Sequence, residues 1–69
     1  MKNLGAEIYN LNTKNGTTPI TKEVATLMTV DELEEVLLHT YDANMDFVTD
    51  VVALETVMNC CQVLAKKTD

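Results

Sequence analysis

Met45-Asp46-Phe47-Val48-Thr49-Asp50-Val51-Val52-Ala53-Leu54-Glu55-Thr56-Val57-Met58-Asn59-Cys60-Cys61-Gln62-Val63-Leu64-Ala65-Lys66-Lys67 fills a third of the 69-residue chain without a glycine or a proline. Within it Phe47, Val51, Leu54, Met58, Cys61 and Ala65 recur at alternating steps of four and three. That spacing predicts an amphipathic helix with a heptad seam, and Lys66 and Lys67 in its last turn suit the helix dipole. The seam does not exhaust the apolar residues. Val57 and Leu64 flank one side of it, and Val48, Val52 and Val63 lie well round the other. A helix apolar over most of its circumference needs cover on several sides.

Upstream, Thr29 and Glu32 form the S/T-x-x-E pattern of a capping box, and Met28 and Leu33 sit where a hydrophobic staple requires them. A helix over 30–41 follows, with Val30, Leu33, Val36, Leu37 and Tyr41 turned inward. Asp42-Ala43-Asn44 is the break before the last helix, capped by Asn44 or Asp42. The expected core is therefore a helical hairpin of 30–41 and 44–67. A helix of about 18 Å cannot cover one of about 34 Å, so a second copy of the chain is the simplest source of the missing cover. Phe47, Val51, Leu54, Met58, Cys61 and Leu64 are the expected oligomer interface.

The first 28 residues are less regular. Leu4, Ile8 and Leu11 at i, i+4 and i+7 favour a short helix over 3–12, and Asn15-Gly16 suits either a hairpin turn or a helix stop. Thr18-Pro19 reads as an N-cap and first helical residue, starting a helix over 19–28 with Ile20, Val24, Leu27 and Met28 on one face. The β-branched content of 24–30 leaves a strand open there. The expected fold class is all-α: one domain over 1–69, with an N-terminal segment (1–28, turn near 15–18) packed on the hairpin (29–67), assembling as a homo-oligomer.

The net charge is −6, and it is unevenly spread. Residues 23–55 contain Glu23, Asp31, Glu32, Glu34, Glu35, Asp42, Asp46, Asp50 and Glu55 but no base, and the chain has no arginine. Such a surface repels phosphates, which argues against binding nucleic acid or an anionic membrane and for a partner with a basic surface. Residues 22–30 resemble the first helix and turn of a helix-turn-helix. The turn glycine near Thr29 is missing, however, and the next helix begins Asp31-Glu32-Leu33-Glu34-Glu35, which removes DNA binding from consideration. Two adjacent cysteines, no apolar signal core and no run long enough to cross a bilayer fit a cytoplasmic protein with reduced thiols.

No catalytic constellation can be drawn. His39 is the only histidine and the chain has no serine; His39 near Asp42 is simply a helix C-terminal residue suited to the dipole. No zinc spacing exists, and neither a metal nor another cofactor is expected. Asp42, Asp46 and Asp50 recur at i, i+4 and i+8 and form one carboxylate stripe. With Glu32, Glu34 and Glu35 they are the expected partner-binding surface, and the plainer reading is a solvated face that keeps the oligomer soluble. The expected function is thus a non-enzymatic acidic interaction protein that binds and inhibits a host protein, of the viral or mobile-element accessory type. The alternative is a small-ligand protein holding a nucleotide or other anion with Tyr9, Thr17, Thr18, Thr21 and Lys22 in the loop ahead of a helix start.

Overall fold

The computed structural model describes residues 4–69. Four helices follow in chain order: α1 (Leu4–Thr13), α2 (Lys22–Leu27), α3 (Val30–Asp42) and α4 (Val51–Thr68). There is no strand among the described residues, so the open choice over 24–30 resolves to the end of α2, the two capping residues Met28 and Thr29, and the start of α3. α3 lies between α1 and α4, and α2 rests on α4. The whole measures 30 × 29 × 19 Å.

α1 ends on a threonine. Thr13 is fully buried; its hydroxyl donates to the Tyr9 carbonyl at 2.6 Å and accepts from Gly16 N–H at 3.1 Å. Lys14, Asn15 and Gly16 then take positive φ of 51°, 58° and 83°, which turns the chain sharply. Asn15-Gly16 is therefore a helix stop and not a hairpin. The extended segment that follows docks on α4: Ile20 has no exposed surface, its N–H donates to Thr56 Oγ1 at 3.0 Å, and its carbonyl accepts from Asn59 Nδ2 at 2.8 Å. These two bonds hold Ile20 against α4 outside any helix, so α2 begins after it. Thr21, not Thr18, is the N-cap, accepting from Val24 N–H at 3.2 Å.

The capping box forms as its sequence pattern requires. Glu32 N–H donates to Thr29 Oγ1 at 3.1 Å, and Thr29 N–H donates to Glu32 Oε1 at 2.9 Å. α3 runs one residue beyond the expected Tyr41, and Asn44 leaves it at φ 51°. α4, however, starts at Val51 and not near residue 44. The reason is local competition: the Asp46 carboxylate accepts from Val48 N–H at 3.0 Å, and Asp50 Oδ1 accepts from Ala53 N–H at 3.1 Å. Aspartates that bond nearby main-chain N–H groups favour turns and N-caps over helix interiors. Residues 43–50 are consequently a capped loop.

Three expected inward faces shift. On α1 the buried residues are Gly5, Tyr9 and Thr13, while Leu4 and Leu11 are exposed. Gly5 decides this: a Cβ there would lie 2.8 Å from His39 Cβ and would also meet the Glu35 carbonyl, so the absent side chain lets α1 approach α3 closely. On α3 Leu33, Val36, Leu37 and Thr40 are buried and Tyr41 points out; on α2 Leu27 is exposed beside buried Ala25 and Met28. On α4 the buried set is Ala53, Thr56, Cys60 and Val63. The core gathers Tyr9, Ile20, Ala25, Met28, Leu33, Val36, Leu37, Cys60 and Val63.

Candidate functional site

α4 is two-faced. Its inward stripe, Ala53, Thr56, Cys60 and Val63, is small or hydroxylated, which is what allows α3 and the Ile20 segment to come close. Its outward stripe is the seam read from sequence: Val51, Leu54, Met58, Cys61 and Ala65, every one exposed. At about 100° per residue the centres of the two stripes are roughly 160° apart. Of the six residues expected at the oligomer interface, the structure keeps Val51, Leu54, Met58 and Cys61 on one surface. Phe47 lies in the turn ahead of the helix, and Leu64 is half-buried against the core.

The expected carboxylate stripe does not form. Asp42 ends α3, Asp46 bonds within the loop and Asp50 caps α4, so the three stand on separate local structures. Glu32 is occupied by the capping box and half-buried, and Glu35 is half-buried beside Gly5. Glu34, Asp42, Asp46 and Asp50 remain exposed. The last three sit at the N-terminal end of α4, whereas Lys66 and Lys67 sit in its last turn. The length of α4, about 27 Å at 1.5 Å per residue, separates these poles.

The lysine pole is a site that sequence reasoning missed. Lys22, Thr26, Gln62, Val63, Lys66 and Lys67 line an open groove of ≈ 240 Å³ between α2 and the end of α4. Its only sequence trace is the placing of Lys22 and Thr26, and of Gln62 and Lys66, at i, i+4 on their helices. Bringing the two pairs together requires the docking of α2 on α4. Of the alternative ligand set, only Lys22 belongs to this groove. Thr17 and Thr18 lie in the exposed turn after α1, and Thr21 caps α2. Tyr9 is not available to stack on a base. It is buried with its ring 5.4 Å from that of His39, and burial, then the charge of Asp50, raise its pKa.

The two thiols differ. Cys60 is fully buried and its pKa is pushed up to about 11, first by burial and then by neighbouring Cys61, so at neutral pH it is an inert thiol. Cys61 is exposed on the outward stripe. Among the described residues no group of three or more His, Cys, Asp or Glu is arranged to hold a metal ion. None of the described helices is long and apolar enough to cross a membrane. Compared with protein-family models, curated proteins and solved structures, this chain matches none.

Proposed function

We propose that this chain is a non-enzymatic interaction protein whose acidic pole binds, and by covering it inhibits, a partner with a basic surface. The observation that supports this reading is the separation of charge along α4. Asp42, Asp46 and Asp50 are exposed at one end, with Glu34 on α3, while Lys22, Lys66 and Lys67 gather at the other. Carboxylates held apart from the lysines of their own chain keep their field for an incoming partner, and such fields govern association rate and specificity.

The test uses residues without a structural duty. Glu34→Lys with Asp42→Lys reverses two exposed charges and spares the capping groups of Glu32, Asp46 and Asp50. A partner captured from lysate by the immobilised wild-type chain should elute as salt is raised through the range in which the Debye length falls below about 8 Å. The double variant should capture much less of it. Equal capture by both chains, with no dependence on salt, sinks the proposal.

The lysine groove favours a second reading, in which the chain sequesters a small anion. Three ammonium groups around a pocket with the Thr26 hydroxyl, the Gln62 amide and a Val63 wall suit an amphipathic anion such as a mononucleotide. Ligand that binds only the folded state raises the melting temperature by mass action. Mononucleotides and inorganic pyrophosphate should do so for the wild type and not for Lys22→Ala/Lys67→Ala; a flat response from the wild type removes this reading.

A further inference from the structure

The outward stripe of α4 carries its own instructions about what covers it. Val51, Met58 and Ala65 occupy one heptad position and Leu54 and Cys61 the other, all exposed and all on one side of an 18-residue helix. One flank of the stripe bears Glu55 and Gln62, with Lys66 one turn after Gln62 and further round the helix. The other bears Asp50, Val57 and Leu64, of which the last two are half-buried against the core. Flanking charges of this kind set the direction in which two such helices pair.

Parallel pairing of two copies would bring Asp50 of each helix against Glu55 of the other, two like-charge contacts, and would align the helix dipoles unfavourably. Antiparallel pairing brings like flanks together, so Glu55 of each copy lies beside Gln62 of the other, with Lys66 one turn further along within reach of its carboxylate. It also stacks large residues on small ones, Met58 over Cys61 and Leu54 over Ala65, about a two-fold axis near the middle of the helix. The acidic pole of one copy then lies toward the lysine pole of its mate. We propose that the chain forms a two-fold symmetric antiparallel dimer through Val51, Leu54, Met58, Cys61 and Ala65, with Glu55 and Lys66 fixing the direction. A single pair of helices about 27 Å long makes a contact at the low end of interface sizes, so the dimer is a weak one.

Sedimentation velocity of the full chain, from micromolar to millimolar concentration, tests this directly. The wild type should shift from monomer to dimer. Met58→Glu should stay monomeric throughout, with an unchanged melting curve in dilute solution because Met58 is half exposed in the single chain. Glu55→Lys should weaken the dimer about tenfold at low salt, Lys66→Glu should do the same, and the two together should restore it. A parallel dimer would respond with the opposite sign to Glu55→Lys, since the new lysine would attract Asp50. A wild type that remains monomeric, a Met58→Glu chain that still dimerises, or a Glu55→Lys chain that dimerises more tightly each overturns the proposal. None of these variants touches Glu34, Asp42 or Asp46, so capture of a basic partner by monomeric Met58→Glu separates this result from that of the acidic-pole reading.

Discussion

The two faces of α4 invert the usual association of large apolar side chains with burial. Inward lie an alanine, a threonine, a cysteine and a valine; outward lie Val51, Leu54 and Met58, at 58%, 37% and 50% exposure. α1 shows it in part: Gly5 and Thr13 are buried and Leu4 and Leu11 are not, although Tyr9 is buried beside them. Hydrophobicity alone would choose the leucines. Close approach chooses the small residues, because a tight helix contact gains dispersion along its whole length and leaves no void beside a bulky side chain. α4 thus meets the core through its small face, while the large apolar residues of the core, Ile20, Met28, Leu33, Val36 and Leu37, come from the other segments.

That comparison breaks most visibly if volume is moved from one face to the other. Ala53 has no exposed surface, so Ala53→Leu forces the inner contact apart and should cost about 3 kcal/mol in a urea titration. The mirror change, Leu54→Ala, removes as many carbon atoms as Ala53→Leu adds. In dilute solution it should nevertheless cost only about 1 kcal/mol, because Leu54 keeps 37% of its surface exposed. Equal and large costs at both positions would mean that the outer stripe is covered within a single chain.

Next in size is the polar anchor of the inner face. Thr56 Oγ1 accepts from Ile20 N–H, and both residues are fully buried. Thr56→Val keeps the shape and leaves that N–H without a partner, a loss of about 2 kcal/mol by chemical denaturation. Thr56→Ser keeps the acceptor and should recover most of it. If valine proves neutral, the Ile20 segment is held by packing alone and the hydroxyl content of the inner face is incidental.

How much of this was legible depends on whether the signal is local. The capping box at Thr29 and Glu32 needs only four residues, and it forms as written. The heptad over Val51, Leu54, Met58 and Cys61 correctly marks a coherent face, but periodicity cannot tell which of two seams meets the chain's own core. Thr56 and Cys60 repeat on a second seam that hydrophobicity scoring passes over. The Asp42, Asp46, Asp50 spacing misleads for a related reason. A four-residue period presumes a continuous helix, while each aspartate has a competing local use in ending, turning or starting one. The lysine groove was invisible because Lys22 and Lys67 are far apart in sequence and meet only through the docking of α2.

Asp50 allows its charge to be separated from its capping role. Asp50→Ala removes the acceptor for Ala53 N–H and should cost about 1 kcal/mol, whereas Asp50→Asn retains an acceptor oxygen and should cost only a few tenths. An Asn variant as unstable as the Ala variant would show that the charge beside the helix N-terminus, and not the hydrogen bond, holds α4 in place.

The smallest effect at neutral pH is read from two adjacent thiols, one on each face. Cys61 is exposed on the outer stripe and should be alkylated by iodoacetamide without unfolding. Cys60, fully buried and with its pKa raised to about 11, should react only as fast as the inner contact opens. The raised value also fixes a sign. Below the ordinary thiol pKa of 9.0 both folded and unfolded chains hold the proton, and the contribution to stability is fully present. As pH climbs from there towards about 11 the unfolded chain releases its proton first, so stability must fall across that window and not rise. Cys60→Ala should make this part of the pH profile shallower, the raised pKa of Tyr9 supplying the slope that remains, and Cys61→Ala should leave it largely in place. If the Cys61 variant flattens it instead, the assignment of inner and outer faces at this turn of α4 is reversed, and the helix is rotated by about 100° from the position described.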